Sequence, residues 1–193
     1  MITNQAYMKA SKAPEADNCL TPQFAILPIL KYLKAKNFKN IWCPFDKADS
    51  LYVRVLQHYN FSVQYSHIDN GQDFFNYIPP QPYDCIVSNP PFSKKVDIVK
   101  RLYSFQKPFM ILLPQNALQN KKLTAMWMKN GVEYLGFDNR ISFYTKDNLD
   151  SITHHNFFAS GYFCHDVLPE KLMFEVLNLT NEGYTDSILD ISI

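Results

Sequence analysis

The tetrapeptide Asn89-Pro90-Pro91-Phe92 is the segment of this sequence whose residue types and order best suit chemistry. Two consecutive prolines remove two backbone donors and restrict φ, and the residue before each proline is held out of the helical region. The resulting stiff, extended turn fixes the direction of the Asn89 side chain. The side-chain carbonyl of Asn89 and the backbone carbonyl of Pro90 are two acceptors that suit an amino group. Phe92 offers a flat apolar face that suits a planar ring.

A purely structural role for this turn stays open, because a Pro-Pro pair also terminates a strand and leaves Phe92 in the core. The apolar run at residues 83–88 predicts a buried strand directly before the turn. In an open α/β sheet, ligands bind beyond the carboxyl ends of the strands. Two further predicted strand ends carry polar residues, Pro44-Phe45-Asp46 and Asp69. Their convergence at one edge favours a functional role.

The elements that position these residues alternate along the chain from residue 21 to residue 131. Thr21-Pro22 predicts a helix start, with Thr21 as cap, and the helix continues to about Lys36 with an interruption at Pro28. Strands are predicted at 40–44, 61–65, 83–88 and 108–113, with helices at 49–60, 93–105 and 118–129. This alternation predicts an α/β fold with a doubly wound, mainly parallel, Rossmann-like sheet.

The alternation of predicted strands and helices ends after residue 131. Strand-like runs at 132–137, 141–144 and 157–164 lack crossover helices and predict antiparallel strands added at one edge of the sheet. Leu168-Pro169 predicts a last helix to about Leu177. We expect one domain over residues 1–193. It comprises a flexible arm (1–20), a cofactor-binding and catalytic core (21–131), and a hairpin with a C-terminal helix (132–193) where target contacts are possible.

Composition excludes several classes of protein. The 193 residues are 47% hydrophobic and 19% charged, which is typical of a globular chain. Only five glycines occur, and none lies within the first seventy residues. The sequence therefore contains neither a P-loop nor a G-x-G-x-x-G dinucleotide-binding loop. The net charge of +1 excludes a strongly basic scaffold. Cys43 and Cys85 lie in apolar runs and are expected to be buried.

Metal and membrane partners are not expected. No two of the four cysteines are close in sequence, and neither His154-His155 nor His165-Asp166 has partners at ligand spacing. The first residues lack the apolar run of a signal peptide, and no apolar stretch is long enough to span a bilayer. We therefore expect a cytoplasmic, reduced protein.

The tetrapeptide Asn89-Pro90-Pro91-Phe92 after an apolar strand resembles the catalytic motif of S-adenosylmethionine-dependent amino methyltransferases. That group includes DNA adenine-N6 enzymes and protein-glutamine methyltransferases. The segment at residues 17–22 resembles the D-x-W-x-T-P segment of small phage-type DNA adenine methyltransferases, with Cys19 at the tryptophan position. The resemblance covers roughly residues 17–115.

The resemblance implies a site for the cofactor S-adenosylmethionine. Thr21 and Pro22 correspond to the segment near its methionine end, and the glycine-free loop Pro44-Phe45-Asp46 stands where the family has its cofactor loop. Asp69 is placed like the ribose-binding acid. Asp73 and Phe74 resemble the pair whose acid and amide contact the adenine of the cofactor.

Together these observations predict a methyltransferase for N6 of adenine in DNA, with the target base flipped out of the stack. Lys94, Lys95 and Arg101 follow the catalytic turn at helical spacing and could contact phosphates, as could Arg140. A solvated helix face, and an ion pair between Arg140 and Asp138, are the alternatives. The same tetrapeptide also serves protein-glutamine and RNA-base methyltransferases. The missing glycines leave open a non-catalytic domain that binds cofactor or nucleic acid.

Overall fold

The computed structural model describes residues 19–145 and 159–178, and the structural statements below concern those ranges. The strands, in chain order, are β1 (Cys19–Leu20), β2 (Asn40–Cys43), β3 (Ser62–Tyr65), β4 (Cys85–Ser88), β5 (Phe109–Pro114), β6 (Glu133–Phe137), β7 (Tyr144–Thr145), β8 (Ser160–His165) and β9 (Leu172–Glu175). The helices are α1 (Gln23–Ile26), α2 (Leu30–Ala35), α3 (Leu51–His58), α4 (Lys95–Ser104) and α5 (Lys121–Asn130).

Seven of these strands form one sheet in the order β3-β2-β4-β5-β8-β6-β9. The first four run parallel, and β9 runs parallel to β6. The prediction of a mainly parallel α/β sheet is therefore confirmed. Antiparallel pairing occurs in the C-terminal part of this sheet, as predicted, but it arises from the single strand β8.

The position of the antiparallel strand differs from the prediction. β8 does not add to an edge but lies between β5 and β6, and β7 pairs with β1 in a separate two-stranded sheet. Five of the six β8 residues are buried, including Tyr162, Phe163 and Cys164. A strand that is apolar on both faces is stabilised most at an interior position, where both faces are covered.

The predicted last helix at 168–177 is wrong, because Leu172–Glu175 forms strand β9. Leucine, methionine, glutamate and lysine favour helix, but they are weak determinants when tertiary contacts compete. Here β9 pairs in register with β6, and the Glu175 carboxylate accepts a hydrogen bond from Tyr32 and lies 2.6 Å from the Lys31 ammonium. These contacts outweigh the local helical preference.

The helices follow the predicted positions, but their caps differ. The first helical segment is α1 and α2 joined by a 3-10 turn at Leu27–Ile29, which accommodates Pro28. Pro22, and not Thr21, occupies its N-cap position. Ser93 lies inside a 3-10 turn, Phe92–Lys94, and does not cap α4. Asn120 caps α5 by accepting from two backbone N–H groups.

Two hydrophobic clusters cover the two faces of the sheet, one around Tyr162 and α3, the other around Trp42 and α4. Cys43, Cys85 and Cys164 are free and fully buried, which confirms the prediction for the first two. No strand lies between Tyr65 and Cys85. The Gln64 side chain there pairs with the backbone of Gln81 through two hydrogen bonds, 2.9 and 3.1 Å long.

Within residues 19–145 and 159–178, none of the helices has the length and apolarity needed to cross a bilayer.

Candidate active site

The carboxyl ends of β2, β3 and β4 meet at one edge of the sheet, because these strands are parallel neighbours. Backbone hydrogen bonds join the first two ends. The backbone N–H of Ser66 donates to the Cys43 carbonyl over 3.1 Å, and the backbone N–H of Asp46 donates to the Ser66 carbonyl over 3.2 Å. The sequence prediction that these segments lie side by side is correct.

Asp46 is the buried centre of this edge, with 8% of its surface exposed. One carboxylate oxygen accepts a hydrogen bond from the hydroxyl of Ser50, and the other accepts from the hydroxyl of Ser88. Burial raises the Asp46 pKa to about 6, against the opposing effect of the two serine hydroxyls. Because Ser88 is the last residue of β4, Asp46 fixes the loop after β2 to the start of the Asn89 turn.

Asn89 differs from Asp46 in that its acceptor is unsatisfied. Its side-chain oxygen Oδ1 is buried and has no hydrogen-bond partner among the described residues. Pro91 has extended backbone angles, φ −62° and ψ 123°, so the turn is extended as predicted. A buried acceptor without a partner is costly, and a ligand N–H at this position would remove the cost.

Phe92 is 8% exposed and belongs to the cluster around Trp42. The structure therefore places this ring in the core, which is the structural alternative considered for the motif. A stacking role on a planar substrate requires the ring to be uncovered first.

Asp69 lies just beyond β3 in the 3-10 turn Ile68–Asn70, and its side chain is 56% exposed. Its Oδ2 is 2.6 Å from the Lys47 ammonium, which belongs to the loop after β2. Its backbone N–H donates to the Nδ1 atom of His67 over 3.1 Å. An exposed carboxylate at this strand end is accessible to a ligand hydroxyl.

Asp73 and Phe74 stabilise their own loop. The Asp73 carboxylate accepts from the Phe75 backbone N–H at 3.0 Å and from the Asn76 amide at 3.3 Å. Phe74 is 3% exposed, and its ring centroid lies 4.7 Å from that of the half-buried Phe45. The loop predicted to contact adenine is therefore packed directly against the loop after β2.

Thr21 is buried and takes part in a polar network beneath this edge. Its side chain hydrogen-bonds to Tyr52, the Tyr52 hydroxyl lies 2.7 Å from the Tyr162 hydroxyl, and Tyr162 donates to the Ala25 carbonyl over 3.1 Å. The network joins the Thr21-Pro22 segment to α3 and β8. The sequence offered no local signal for it, since Tyr52 and Tyr162 are 110 positions apart.

Arg101 has a structural role that the sequence analysis missed. Its guanidinium carbon lies 4.8 Å from the Phe105 ring centroid and 5.6 Å from that of Phe74, and Nη2 donates to the Tyr77 carbonyl over 3.3 Å. Arg101 therefore holds the Asp73–Tyr77 loop. It sits nearly two turns of helix away from Lys94 and Lys95, roughly 10 Å along the axis.

The other predicted phosphate contacts lie at the carboxyl edge. Lys94 is exposed, and the half-buried Lys95 donates to the Phe92 carbonyl over 3.3 Å. Arg140 is exposed just beyond β6, which runs parallel to β5 because β8 opposes both. The alternative ion pair is not formed within the described structure: Asp138 accepts from the Leu177 N–H and from Asn139.

No group of three or more metal-ligating side chains occurs in the two described ranges. His165 packs against Tyr103, with ring centroids 5.2 Å apart, and its Nε2 lies 3.5 Å from Asp166. His154 and His155 lie outside the described residues.

No protein-family model matches the chain, and no curated protein sequence matches it.

Proposed function

We propose that this chain transfers a methyl group from S-adenosylmethionine to an amino nitrogen, and that this nitrogen is N6 of adenine in DNA. The observation that carries the proposal is the buried Oδ1 of Asn89 at the carboxyl end of β4, which accepts no hydrogen bond from the residues that the structure describes. Two prolines and the Asp46–Ser88 hydrogen bond hold the backbone on either side of it. An acceptor fixed in this way is complementary to an amino group that donates.

The side chains at the ends of β2 and β3 suit the cofactor S-adenosylmethionine. Asp69 presents an exposed carboxylate that suits a ribose diol, and the half-buried Phe45 ring suits a flat base. Asp46 is not a ligand in this assignment, because both its oxygens already accept from serines. Its part is to hold the glycine-free loop against β4. When bound, S-adenosylmethionine supplies an electrophilic methyl group on a sulfonium.

Asn89 and Pro90 do the positioning in this assignment. The Asn89 side-chain oxygen and the Pro90 carbonyl each accept one hydrogen of the target amino group, which directs the nitrogen lone pair out of the ring plane. As the new N–C bond would form, the bond between the methyl carbon and the sulfonium sulfur would break and leave a neutral thioether. Positive charge would pass to the nitrogen, where the two carbonyl dipoles stabilise it. The nitrogen would then lose one proton to water. Holding the reactants in line supplies a large part of the rate enhancement.

The choice of DNA as the target rests on the resemblance and on the cations at the carboxyl edge. Lys94, Lys95 and Arg140 lie there, where phosphates beside a flipped base would pass. Lysines also lie at the opposite end of the sheet, for example Lys36 and Lys39, so charge distribution alone does not choose between DNA and protein.

The test is transfer of a radiolabelled methyl group from S-adenosylmethionine to unmethylated DNA, to RNA and to a protein extract. We expect label in DNA, recovered as N6-methyladenine after digestion. Label recovered only as methylglutamine or in RNA would reassign the target. Failure to label any of the three by folded chain would reject the enzymatic function, and cofactor binding by titration would then support a non-catalytic binding domain.

A further inference from the structure

Four buried side-chain atoms lack a hydrogen-bond partner in the described part of the chain, and they are Gln23 Nε2, Asn89 Oδ1, Arg101 Nε and Ser160 Oγ. The Arg101 atom belongs to the aromatic packing described above. The other three belong to segments far apart in sequence. Buried polar groups are nearly always paired, so three unpaired ones call for an explanation.

Ser160 is at the carboxyl edge of the sheet because β8 runs antiparallel. As the first residue of β8, it lies opposite Pro114, the last residue of β5. It is 5% exposed. Side chains alternate along a strand, so Ser160 shares a face with Tyr162, whose hydroxyl meets that of Tyr52.

Gln23 reaches the same region through the tyrosine network. It is the first residue of α1 and lies between Thr21, which bonds to Tyr52, and Ala25, whose carbonyl accepts from Tyr162. The network lies close to Asp46. Burial is the main cause of the raised pKa of the Tyr52 and Tyr162 hydroxyls, and the negative charge of Asp46 raises both pKa values further. Asp46 also holds Ser88, the residue that precedes Asn89, so the segments that carry the three unpaired groups are connected through this network.

The three groups are complementary to one kind of ligand edge. Asn89 supplies an acceptor, the Gln23 amide nitrogen supplies a donor, and the Ser160 hydroxyl can do either. A flat group with an amino nitrogen beside an acceptor needs that combination, and adenine presents it as N6 and N1.

We propose that Gln23 and Ser160 are specificity-determining residues for the target. Gln23 donates to N1 of the flipped adenine while Asn89 accepts from N6, and Ser160 makes a further polar contact in the same pocket. This inference rests on the proposed function. Because the three atoms are buried, the base can reach them only after neighbouring protein atoms move aside.

The proposal has an energetic signature that a structural role would not give. An unpaired buried polar atom destabilises the free chain, so Gln23→Met and Ser160→Ala should leave the melting temperature unchanged or raise it. Ser66→Ala is the matched control. Ser66 is fully buried but accepts from the Trp42 indole over 3.1 Å, so its variant should melt at a lower temperature.

Binding can be measured without turnover, by fluorescence anisotropy with labelled thirteen-residue oligonucleotides. The probes are oligothymidine alone and oligothymidine with a central adenosine or a central 1-deazaadenosine, which lacks the N1 acceptor. We expect wild type to bind the adenosine probe about five-fold or more tighter than the 1-deaza probe. Gln23→Met should bind both equally, whereas Gln57→Met, changed at an exposed position on α3, should retain the difference.

The inference would be overturned by discrimination by Gln23→Met equal to that of wild type, or by no preference of wild type for adenosine over thymidine. A fall in melting temperature for Gln23→Met and Ser160→Ala as large as that for Ser66→Ala would also overturn it, by showing a structural role. The proposed function fails separately. Adenine discrimination without methyl transfer would reject the enzymatic function and keep the role of Gln23. DNA methylation that is unaffected by Gln23→Met would keep the enzymatic function and reject the role of Gln23.

Discussion

Asn89 and Asp46 are joined through Ser88 but differ in how their side-chain oxygens are satisfied. Asp46 accepts two hydroxyl hydrogen bonds, whereas Asn89 Oδ1 accepts none in the described structure. The carboxylate is therefore part of the framework, and the amide is available to a ligand. Substitution of Asn89 should therefore change activity, and substitution of Asp46 should change stability.

Asn89→Ala should leave the free energy of unfolding nearly unchanged, because its side-chain oxygen accepts no hydrogen bond from residues 19–145 and 159–178. Methyl transfer should fall by roughly 10²-fold or more, the scale on which loss of one positioned polar group acts. Cofactor affinity should stay within a few-fold of wild type. Chemical denaturation, the methyl-transfer assay and titration calorimetry measure the three quantities.

The matched control is Asn120→Ala. Asn120 caps α5 by accepting from the Lys122 and Leu123 N–H groups, both at 3.1 Å. Its loss should cost about 1 kcal/mol of stability and leave methyl transfer intact. If Asn89→Ala loses comparable stability and retains its activity per folded molecule, the tetrapeptide is a structural turn.

Asp46 predicts a pH dependence of stability. Its pKa is about 6 in the folded chain against an ordinary value of 3.8, so the folded chain holds the proton more tightly. Raising the pH from about 4 to about 6 should therefore destabilise wild type, by roughly 3 kcal/mol at most. Asp46→Asn lacks this titration. Urea unfolding of both proteins across that range should show a difference in free energy that changes with pH, and a constant difference would contradict the assignment.

At the level of elements, Arg101 connects α4 to the loop that follows β3. Its guanidinium packs on the rings of Phe74 and Phe105, and its bond to the Tyr77 carbonyl fixes the loop from the far side. Asp73 holds the same loop from within. The position of this loop, and of the Phe45 ring that packs on it, therefore depends on α4.

Arg101→Met should weaken cofactor binding several-fold, because the loop loses a cation–π contact and a hydrogen bond. The stability cost should be about 1–3 kcal/mol. The salt dependence of DNA binding should not change, since Arg101 contacts protein. Titration calorimetry and DNA affinity measured against salt separate these effects. Lys100→Met, at an exposed neighbouring position, should match wild type in both, and a reduced salt slope for Arg101→Met would restore Arg101 as a phosphate contact.

The elements near the site could be predicted from the sequence, and those farther along the chain could not. Local patterns indicate where β2 and β4 end, and parallel neighbours bring such ends together, so the positions of Asp46 and Asn89 at one edge could be predicted. The framework role of Asp46 could not, since the sequence predicted a cofactor ligand there. The partnership of Tyr52 with Tyr162 has no local pattern. The apolar residues of the 168–177 segment are compatible with the spacing of a helix and with that of a strand. The segment forms a strand because it pairs with β6. Asp46 and Ser50, four residues apart, were the signal that could have revealed the buried carboxylate.

At the scale of the whole molecule, a net charge of +1 gives little general attraction to nucleic acid, so binding must depend on few contacts. Lys94 and Lys95 lie at the carboxyl edge, next to the Asn89 turn. The double variant Lys94→Glu, Lys95→Glu should weaken DNA binding at all sequences and lower the salt slope by about two. Affinity for duplex DNA between low and moderate salt measures the slope.

The control for this prediction lies at the other end of the sheet. Lys36 and Lys39 precede β2 and are both exposed, so reversing them to glutamate gives the same change in net charge. That variant should keep the wild-type slope. An equal loss in both variants would show a non-specific charge effect, and a flat salt response in wild type would reject duplex DNA as the target.

The position of β8 has a consequence for how the chain is made. Its two neighbours, β5 and β6, are both completed earlier in synthesis. Until residues 160–165 emerge, β5 has no partner along one side and β6 has none along either side, since β9 is made later still. Most of the nascent chain must therefore wait with open strand edges, which are the surfaces that drive aggregation. A stop codon shortly before residue 160 would remove both β8 and β9. It would leave β3, β2, β4 and β5 as a four-stranded sheet with an open edge at β5, and β6 without either of its two partner strands.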